Sequence, residues 1–452
     1  MKHFLLIAIF LLSLSNAFAV APFTTQANLF NQTNAINLGL SKATGTETFS
    51  VFKPSATTNH FSNGVVLAAF KNTLYCMWQS SASDEDATDT WVAYSKSTNG
   101  TDWSAPVVLA NNAPKGIYTS GGWFVRNDSL IAYINTWPGL NPKGGYTQYK
   151  STADGTNWSG LKVVRMLSGD TLKAIFEQDP HVLSSGRIIN AAHFQPGLNA
   201  APIYSDDPSG VKGWVRATYT NLSTGSSSQE MEPSSFAQSD GTLVMIFRDQ
   251  NSSYTKLASS STDNGRTWSA TVQTDMPDSR SKQCAGNLPD GTAFFVSNPV
   301  SSKTRIPLVL TLSSTGKVFT KAYVMREGGS GLQAQRYTGT SKTLGYSYPK
   351  TCIWNNYLYA SYSTNKEDVE ITRIPLSSVS LNSLSGIAES ESTETRLSIY
   401  SDKNGFTRFT LDNDNKNANL FIYNLQGQLV SQVLLEKGRS EIRLPKGVYV
   451  VG

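Results

Sequence analysis

The chain is short of the residues on which the commonest catalytic motifs depend. Its 452 residues include 4 histidines and 3 cysteines. No P-loop, GxSxG, HExxH or dinucleotide-binding pattern occurs. Cys76, Cys284 and Cys352 are widely spaced and form neither a CxxC pair nor a short metal-binding spacing. We therefore interpret them as small buried apolar residues, and we expect no cofactor.

Charge is also scarce. Charged residues make up 16% of the chain, and the net charge is +5 at pH 7. Lysine and arginine do not cluster with aromatic residues as a nucleic-acid groove would require, so we expect no nucleic-acid partner. The mild positive charge instead favours the approach of an anionic ligand.

Long apolar runs are absent after the N-terminus. Residues Met1 to Ala19 contain Lys2, the run "FLLIAIFLLSL" and the small-residue exit "AFA", which together are typical of a secretory signal peptide. The run is too short to span a bilayer, and no later segment is apolar enough to do so. We expect an exported, soluble, monomeric protein without a membrane span.

Tight turns between alternating apolar segments are abundant, which is the strongest local signal for hairpins. They recur at steps of about 50 to 65 residues, the length of a four-stranded unit. Their centres are Asn72, Asn127, Gly186, Gly241, Gly291 and Asn356. The spacing predicts six units with strands A to D, the innermost being A.

A second phrase recurs within these units. It reads "STNGTDWS" from Ser97, "STADGTNWS" from Ser151 and "STDNGRTWS" from Ser261, with a looser copy from Ser205 to Trp214. Its place is the turn from strand C to strand D, where glycine permits the bend and Asp or Asn caps backbone amides. Four-stranded sheets repeated radially predict an all-β, six-bladed β-propeller.

The last unit, Tyr346 to Ser380, lacks a strand D. We expect a strand between Ala27 and Phe52 to supply it and close the ring, while a seventh, irregular blade is the alternative. The repeated phrase resembles the Asp-box, "SxDxGxxW", of sialidases and other BNR-repeat propellers, over roughly Thr57 to Ser380. That resemblance implies a propeller domain over residues 20–380, but Asp-boxes are structural and carry no activity by themselves.

The composition changes after the propeller. Residues 381–395 are rich in Ser and Glu and are interpreted as a linker. The segments "LSIYSDKNGFTRFTLDN", "ANLFIYNLQGQLVSQ" and "LPKGVYVV" resemble the C-terminal sorting domain of Bacteroidota type IX secretion, one strand short of its usual length. This resemblance implies a small β-sandwich-like domain over residues 396–452, the type IX machinery as a partner, and a secreted or surface-attached protein.

Antiparallel order places the starts of strands A and the ends of strands B at one mouth of the channel. Strand A starts supply His60, Glu177, Gln178, Asp179, Glu230, Glu232, Lys282, Gln283, Tyr346 and Tyr348. Strand B ends supply Gln79, Asn135, His193, Arg248, Asp249, Asn298 and Asn365. With Trp78, Trp123 and Trp137 expected near the same mouth to stack on sugar rings, the pattern predicts a glycan site.

A retaining sialidase would need several arginines for the substrate carboxylate, a Tyr nucleophile with a Glu partner, and an Asp that acts as general acid and base. Arg248, Arg305 and Arg336 could supply the guanidiniums, Tyr346 or Tyr348 the phenol, and Glu230 or Glu232 its base. The sialidase "RIP" motif is missing from the first strand, which reads "NHFSNG" from Asn59; the "TRIP" strings from Thr304 and Thr372 lie on later strands. This disfavours a true sialidase.

His60, the acidic "SDEDATDTW" and "YSTNKEDVEITRIPL" resemble a branch of propellers that act on uronates, including ulvan lyases and enzymes that release rhamnose from glucuronic acid. That resemblance matches His60 to a first-blade histidine and Gln283 to the opposing amide. For β-elimination, Arg248 suits the carboxylate, His193 or His60 the C5 proton, and Tyr346 or Tyr348 the leaving oxygen.

These patterns predict a secreted enzyme that cleaves an acidic polysaccharide, with β-elimination as the leading mechanism. Glu177, Glu230 and Glu232 leave a hydrolytic alternative of sialidase or rhamnosidase type, and a non-catalytic glycan-binding propeller is the third. Gln178, Gln283, Arg305, Trp78 and Trp123 are expected to contact substrate. The acidic loop of Asp84, Glu85, Asp86 and Asp89 could hold Ca²⁺ but matches no known loop, so we interpret it as solvated.

Overall fold

A computed structural model describes residues 20–111, 116–126, 128–137, 144–176, 178–223 and 226–382, together with six strands between residues 396 and 451. The predicted signal peptide and residues 383–395 of the predicted linker lie outside the described residues. Within the described part, no helix is long and apolar enough to cross a membrane.

The first half of the propeller follows the predicted order of strands. Two strands precede the first blade: β1 (Thr24–Thr25) and β2 (Glu47–Phe52). Blade 1 contains β3 (Phe61–Phe70), β4 (Thr73–Ser81), β5 (Trp91–Ser97) and β6 (Val107–Ala110). Blade 2 contains β7 (Ile117–Arg126), β8 (Ser129–Trp137), β9 (Tyr146–Thr152) and β10 (Lys162–Val163). Blade 3 has a divided inner strand and contains β11 (Ala174–Phe176), β12 (His181–Val182), β13 (Ile188–Phe194), β14 (Asn199–Ser205) and β15 (Trp214–Arg216).

The second half repeats the pattern. Blade 4 contains β16 (Glu230–Ala237), β17 (Leu243–Asp249), β18 (Thr255–Ser261) and β19 (Val272–Pro277). Blade 5 contains β20 (Cys284–Asn287), β21 (Ala293–Ser297), β22 (Leu308–Ser313) and β24 (Lys321–Arg326), while β23 (Val318–Phe319) pairs with β1. Blade 6 contains β25 (Tyr346–Trp354), β26 (Tyr357–Thr364) and β27 (Asp368–Pro375). Two short 3-10 helices cover Gly329–Gly331 and Leu376–Ser378.

The ring closes through the N-terminal strand. Strand β2 pairs antiparallel with β27 as the outermost strand of blade 6, in the order β2-β27-β26-β25. The hydroxyls of Thr48 and Thr372 lie 2.9 Å apart across this pair. The six-bladed propeller is therefore confirmed, and so is the prediction that a strand before Phe52 completes the last blade.

Aromatic and aliphatic side chains fill the spaces between adjacent blades. Between blades 4 and 5, Phe23 packs against Phe236, Phe295 and Phe319, with ring centroids 5.3 to 6.0 Å apart. Burying a side chain of this size stabilises the fold by about 1.5 to 3 kcal/mol. Cys76 and Cys284 are buried free thiols and Cys352 is half-buried, which agrees with their interpretation as small apolar residues.

The repeated phrases form the predicted turns between strands C and D. In blade 2, the Asp154 carboxylate accepts hydrogen bonds from the backbone amides of Thr156 and Asn157, each at 2.8 Å. These bonds, the Asn157 amide first, hold the pKa of Asp154 well below its usual value. In blade 4, Asp263 makes the same bonds to Arg266 and Thr267. The Asp-box carboxylates are thus used to close turns.

The C-terminal strands form two three-stranded antiparallel sheets. One has the order β28-β29-β32 and the other the order β31-β30-β33. The strands are β28 (Arg396–Ser401), β29 (Thr407–Asn413), β30 (Ala418–Asn424), β31 (Leu429–Leu435), β32 (Gly438–Leu444) and β33 (Tyr449–Val451). The segments "LSIYSDKNGFTRFTLDN" and "ANLFIYNLQGQLVSQ" each form an antiparallel pair, β28 with β29 and β30 with β31, whereas "LPKGVYVV" spans the end of β32 and β33, which lie in different sheets.

Candidate functional site

Four of the innermost strands have an irregular register near the same mouth of the channel, and the irregularity places one residue of each at positive φ. The shifts occur in β3, β7, β16 and β25. The residues are Gly64 (φ 58°), Gly122 (φ 109°), Glu232 (φ 51°) and Tyr348 (φ 57°). Glycine adopts this conformation without steric strain, whereas Glu and Tyr are strained in it. Residues strained in this way concentrate at functional sites. The bulges therefore single out Glu232 and Tyr348.

Glu232 forms a shielded ion pair with an arginine of the next strand. An Arg248 terminal nitrogen lies 3.0 Å from Glu232 Oε2, and the two side chains are 14% and 10% exposed. Burial opposes the charge on Arg248, but the charges of Glu232 and then Tyr348 outweigh it and raise the pKa of the guanidinium. The guanidinium therefore lies within electrostatic reach of both strained residues.

Tyr348 is surrounded by cations. Its ring centroid lies 4.6 Å from the Arg305 guanidinium carbon, 5.1 Å from Lys282 Nζ and 5.4 Å from Lys366 Nζ. Arg305 is held in place by a 2.7 Å hydrogen bond that it donates to the Ser347 hydroxyl. Such cation–π contacts each contribute roughly 0.5 to 2 kcal/mol. The arrangement gives the mouth around Tyr348 a positive environment suited to an anion.

The blade 1 side of this mouth is formed by the acidic loop that follows β4. Glu85 accepts a hydrogen bond from Lys366 Nζ at 2.7 Å and another from Asn63 Nδ2 at 2.8 Å. Next to it, burial and then the charge of Glu85 raise the pKa of Asp86. This loop was interpreted as solvated, so sequence analysis missed its connection to the site. The signal was its position directly after a strand B, on the mouth face.

Within the described residues, no group of three or more His, Cys, Asp or Glu side chains could hold a metal ion. Two carboxylates of the acidic loop accept hydrogen bonds from backbone amides. Asp84 accepts a hydrogen bond from the Thr340 amide, and Asp89 accepts one from the Ala82 amide at 2.9 Å.

Several residues predicted to face substrate are placed elsewhere. Trp78 and Trp123 are 1% and 2% exposed and pack in the core between blades, which corrects the expectation that they stack on sugars. Tyr346 is buried, and its hydroxyl donates to the Glu327 carbonyl at 2.6 Å. Glu230 is buried and accepts a hydrogen bond from the Leu222 amide at 2.7 Å, so it supports a loop. The structure thus brings Tyr348 and Glu232 to the mouth, and not Tyr346 and Glu230.

Both histidines proposed as bases contact other protein groups. The His60 ring stacks on Tyr337 at 3.8 Å and 9°, and its Nε2 lies 3.0 Å from the Ser55 carbonyl oxygen. His193 is 1% exposed, and its Nε2 accepts a hydrogen bond from the Glu232 backbone amide at 3.1 Å. His193 is thus buried against Glu232, and one face of the His60 ring is covered by Tyr337.

Other predicted residues hydrogen-bond to residues of the site or form ion pairs with other residues. Gln283 is buried and donates to the Glu232 carbonyl at 2.8 Å, and Gln178 is buried and donates to the Gln283 carbonyl at 3.1 Å. Arg336 pairs with Glu367 at 3.3 Å and also with Asp368. Glu177 lies outside the described residues.

Comparisons with known proteins agree with this fold. Residues 72–360 match the sequence profile of a family described as a BNR repeat-like domain. No curated protein matches the chain in sequence. Among solved structures, the chain is similar to a sialidase, with a TM-score of 0.57 and 16% identity over 94% of this chain and 47% of that one.

Two other structures match over their whole length. One is a protein of unknown function from Dyadobacter fermentans, with a TM-score of 0.57 and 13% identity over 74% of this chain and 99% of that chain. The other is an intramolecular trans-sialidase from Ruminococcus gnavus, with a TM-score of 0.55 and 13% identity over 76% of this chain and 100% of that chain. At these identities the similarity shows a shared sialidase-like propeller fold.

Proposed function

This chain belongs to the BNR repeat-like domain family, and from that premise we propose that it is a glycoside hydrolase that removes a terminal acidic sugar through a tyrosine nucleophile. The observation that carries the proposal is the group of Tyr348, Glu232, Arg248 and Arg305 at one mouth of the channel. The hydrolytic alternative from the sequence is thus favoured over β-elimination, and the sialidase and trans-sialidase relatives support it.

The arginines would bind the carboxylate of the substrate. Arg248 of blade 4 and Arg305 of blade 5 both precede Tyr348 of blade 6, and planar guanidiniums suit bidentate binding of carboxylates. The expected "RIP" arginine of the first strand is absent, and Asn63 lies in that part of the mouth. The cation there is Lys366, which Glu85 holds against the Phe61 and Tyr348 rings.

Tyr348 would attack the anomeric carbon while Glu232 takes the phenolic proton. A neutral phenol avoids the repulsion that a carboxylate nucleophile would meet from a sugar acid whose carboxylate adjoins the anomeric carbon. The bond from carbon to the leaving oxygen breaks as the bond to the Tyr348 oxygen forms. Water then attacks the anomeric carbon as its bond to the Tyr348 oxygen breaks, Glu232 returns the proton to the phenolate, and the anomeric configuration is retained.

Asp86 would protonate the leaving oxygen. A general acid must hold its proton until the leaving oxygen takes it, and burial and then the charge of Glu85 raise the pKa of Asp86 above its usual value. After the first step the Asp86 carboxylate would take a proton from the attacking water, and the residue returns to its starting state.

The test uses the full chain with aryl glycosides of a nine-carbon 2-ulosonic acid and of a hexuronic acid. We expect the ulosonic glycoside to release its phenol. NMR of the sugar that forms first should show the same anomeric configuration as the substrate. Parallel incubations with uronate-containing polysaccharides are read at the absorbance band of unsaturated uronates. A rise in that band without phenol release would establish elimination and overturn the proposal. Binding of the glycosides without any product would identify a lectin.

We also infer export through residues 1–19 and surface attachment through residues 396–452, supported by the sequence features described above. The check is to locate the full chain and a chain ending at residue 382 in a host with type IX secretion. The full chain should reach the cell surface or medium, and the shortened chain should stay in the periplasm.

A further inference from the structure

Glu232 holds an unusual backbone conformation in the site, and the structure shows what keeps it there. Its φ of 51° lies in the left-handed region, and it falls in the register shift of β16 between Met231 and Ser234. The bulge removes its amide and carbonyl from the regular ladder with β17. Buried backbone groups need partners, so these two must find them outside the sheet.

Both partners are buried side chains from neighbouring blades. The Glu232 amide donates to His193 Nε2 of blade 3 at 3.1 Å, and the Glu232 carbonyl accepts from Gln283 Nε2, just before blade 5, at 2.8 Å. Because Nε2 of His193 accepts this bond, that nitrogen carries no proton. One residue of blade 4 is therefore held from both sides.

The Gln283 amide has one possible orientation. Its Oε1 accepts a 2.8 Å hydrogen bond from Lys256 Nζ, so its nitrogen must face Glu232. The other protons of Lys256 go to Asp278 Oδ1 at 2.6 Å and to the Ser281 carbonyl at 3.1 Å. The three donors of the ammonium are used, which fixes the lysine and through it the glutamine.

We propose that His193 and Gln283 are positioning residues that hold the Glu232 backbone in its left-handed conformation and so aim its carboxylate at Arg248. The expected loss of kcat rests on the proposed function. The claim that the two side chains hold the Glu232 backbone does not depend on it. Blades 1 and 2 place Gly64 and Gly122 at the corresponding bulges, where the conformation costs nothing. A side chain needed at the mouth is the reason we infer for a strained Glu at the bulge of blade 4.

The decisive variants are His193→Gln and His193→Leu. Gln can place an acceptor oxygen where Nε2 lies, whereas Leu has a similar volume and no acceptor. We expect the Glu232 amide to be protected from hydrogen exchange in the wild type and in H193Q, and to exchange at least about 10-fold faster in H193L. His181→Leu, a histidine change in the same blade without a bond to Glu232, should leave this protection unchanged.

Kinetics provide the second readout. We expect H193L to lower kcat on the ulosonic glycoside about 100-fold with little change in KM, because the misplaced group acts in the reaction step, and H193Q to restore most of it. Gln283→Glu keeps the bond to Lys256 but cannot donate to the Glu232 carbonyl, so it should lower kcat in the same way if H193L does not fold.

Equal amide protection in H193L and the wild type would overturn the proposal, as would equal loss of kcat in H193L and H193Q. If the wild type cleaves no glycoside, the proposed function fails, while the exchange measurement still decides whether these side chains hold Glu232.

Discussion

The two faces of the propeller use carboxylates in opposite ways. On the Asp-box face, Asp154 and Asp263 accept hydrogen bonds from backbone amides of their own turns, in a pattern repeated from blade to blade. On the mouth face, Glu232 pairs with Arg248 of β17, and Glu85 pairs with Lys366, which lies between β26 and β27. The repeated face builds the scaffold, and the departures from the repeat mark the site.

The strongest way to break this comparison is Tyr348→Phe. We expect kcat/KM for the ulosonic glycoside to fall by at least about 1,000-fold, because the nucleophilic oxygen is lost. Tyr346→Phe, two residues earlier on the same strand, removes a hydroxyl bonded to the Glu327 carbonyl and should cost about 1 kcal/mol of stability with activity unchanged. Equal activities of the two variants would show that the mouth tyrosine has no chemical role.

An arginine from each face sharpens the comparison. Arg305→Gln should lower kcat/KM by about 100-fold, since it removes a charge that contacts the substrate carboxylate. Arg187 on the Asp-box face forms a two-pronged pair with Asp206, at 2.7 and 2.8 Å. Arg187→Gln should lower the unfolding midpoint and leave kcat/KM within about twofold. Steady-state kinetics and thermal unfolding of both variants check this.

The pH profile tests the acid assigned to the mouth. Because the pKa of Asp86 is raised, its proton is lost as pH rises through that value, and kcat should fall with it. Asp86→Asn should lower activity and remove this alkaline limb, and a good aryl leaving group should lessen the loss. Asp102→Asn, in an Asp-box, should keep the wild-type profile, and an unchanged alkaline limb in D86N would assign that limb to another group.

The smallest effect is expected on the Asp-box face. Although burial opposes ionisation, hydrogen bonds from the Thr267 amide and hydroxyl lower the pKa of Asp263 to about 2. Its contribution is therefore present above the pKa of the unfolded chain and lost as pH falls towards 2. Asp263→Ala should cost about 1 kcal/mol at pH 7 without loss of activity, and its unfolding midpoint should approach that of the wild type at low pH.

Local chemistry explains which features could be predicted from the sequence. The six A-to-B turns were found because turns such as those at Gly186, Gly241 and Gly291 depend on neighbouring residues alone. The closing strand was found because blade 6 was one strand short. Neither inference depends on knowing which side of a strand faces the channel.

The sequence narrowed the candidate site residues to pairs but could not choose between the members of each pair. Regular alternation would place Glu230 and Glu232 on one side of their strand, and Tyr346 and Tyr348 likewise, so the sequence offered no choice within either pair. A bulge lies in each strand and breaks the alternation, so one member of each pair turns to the mouth. The prediction for Trp78 was wrong for a related reason. The alternation of residues along a strand does not tell whether a side chain packs against a neighbouring blade or faces the mouth.

The closure of blade 6 by β2 also sets the order in which the molecule can be completed. Thr48 and its partner Thr372 are 324 positions apart. At about 5 to 20 residues per second, a ribosome makes the first roughly 16 to 65 s before the second. Until Thr372 has been made, strand β2 lacks its partner β27 and blade 6 is incomplete. The ring can therefore close only after nearly the whole propeller has been synthesised.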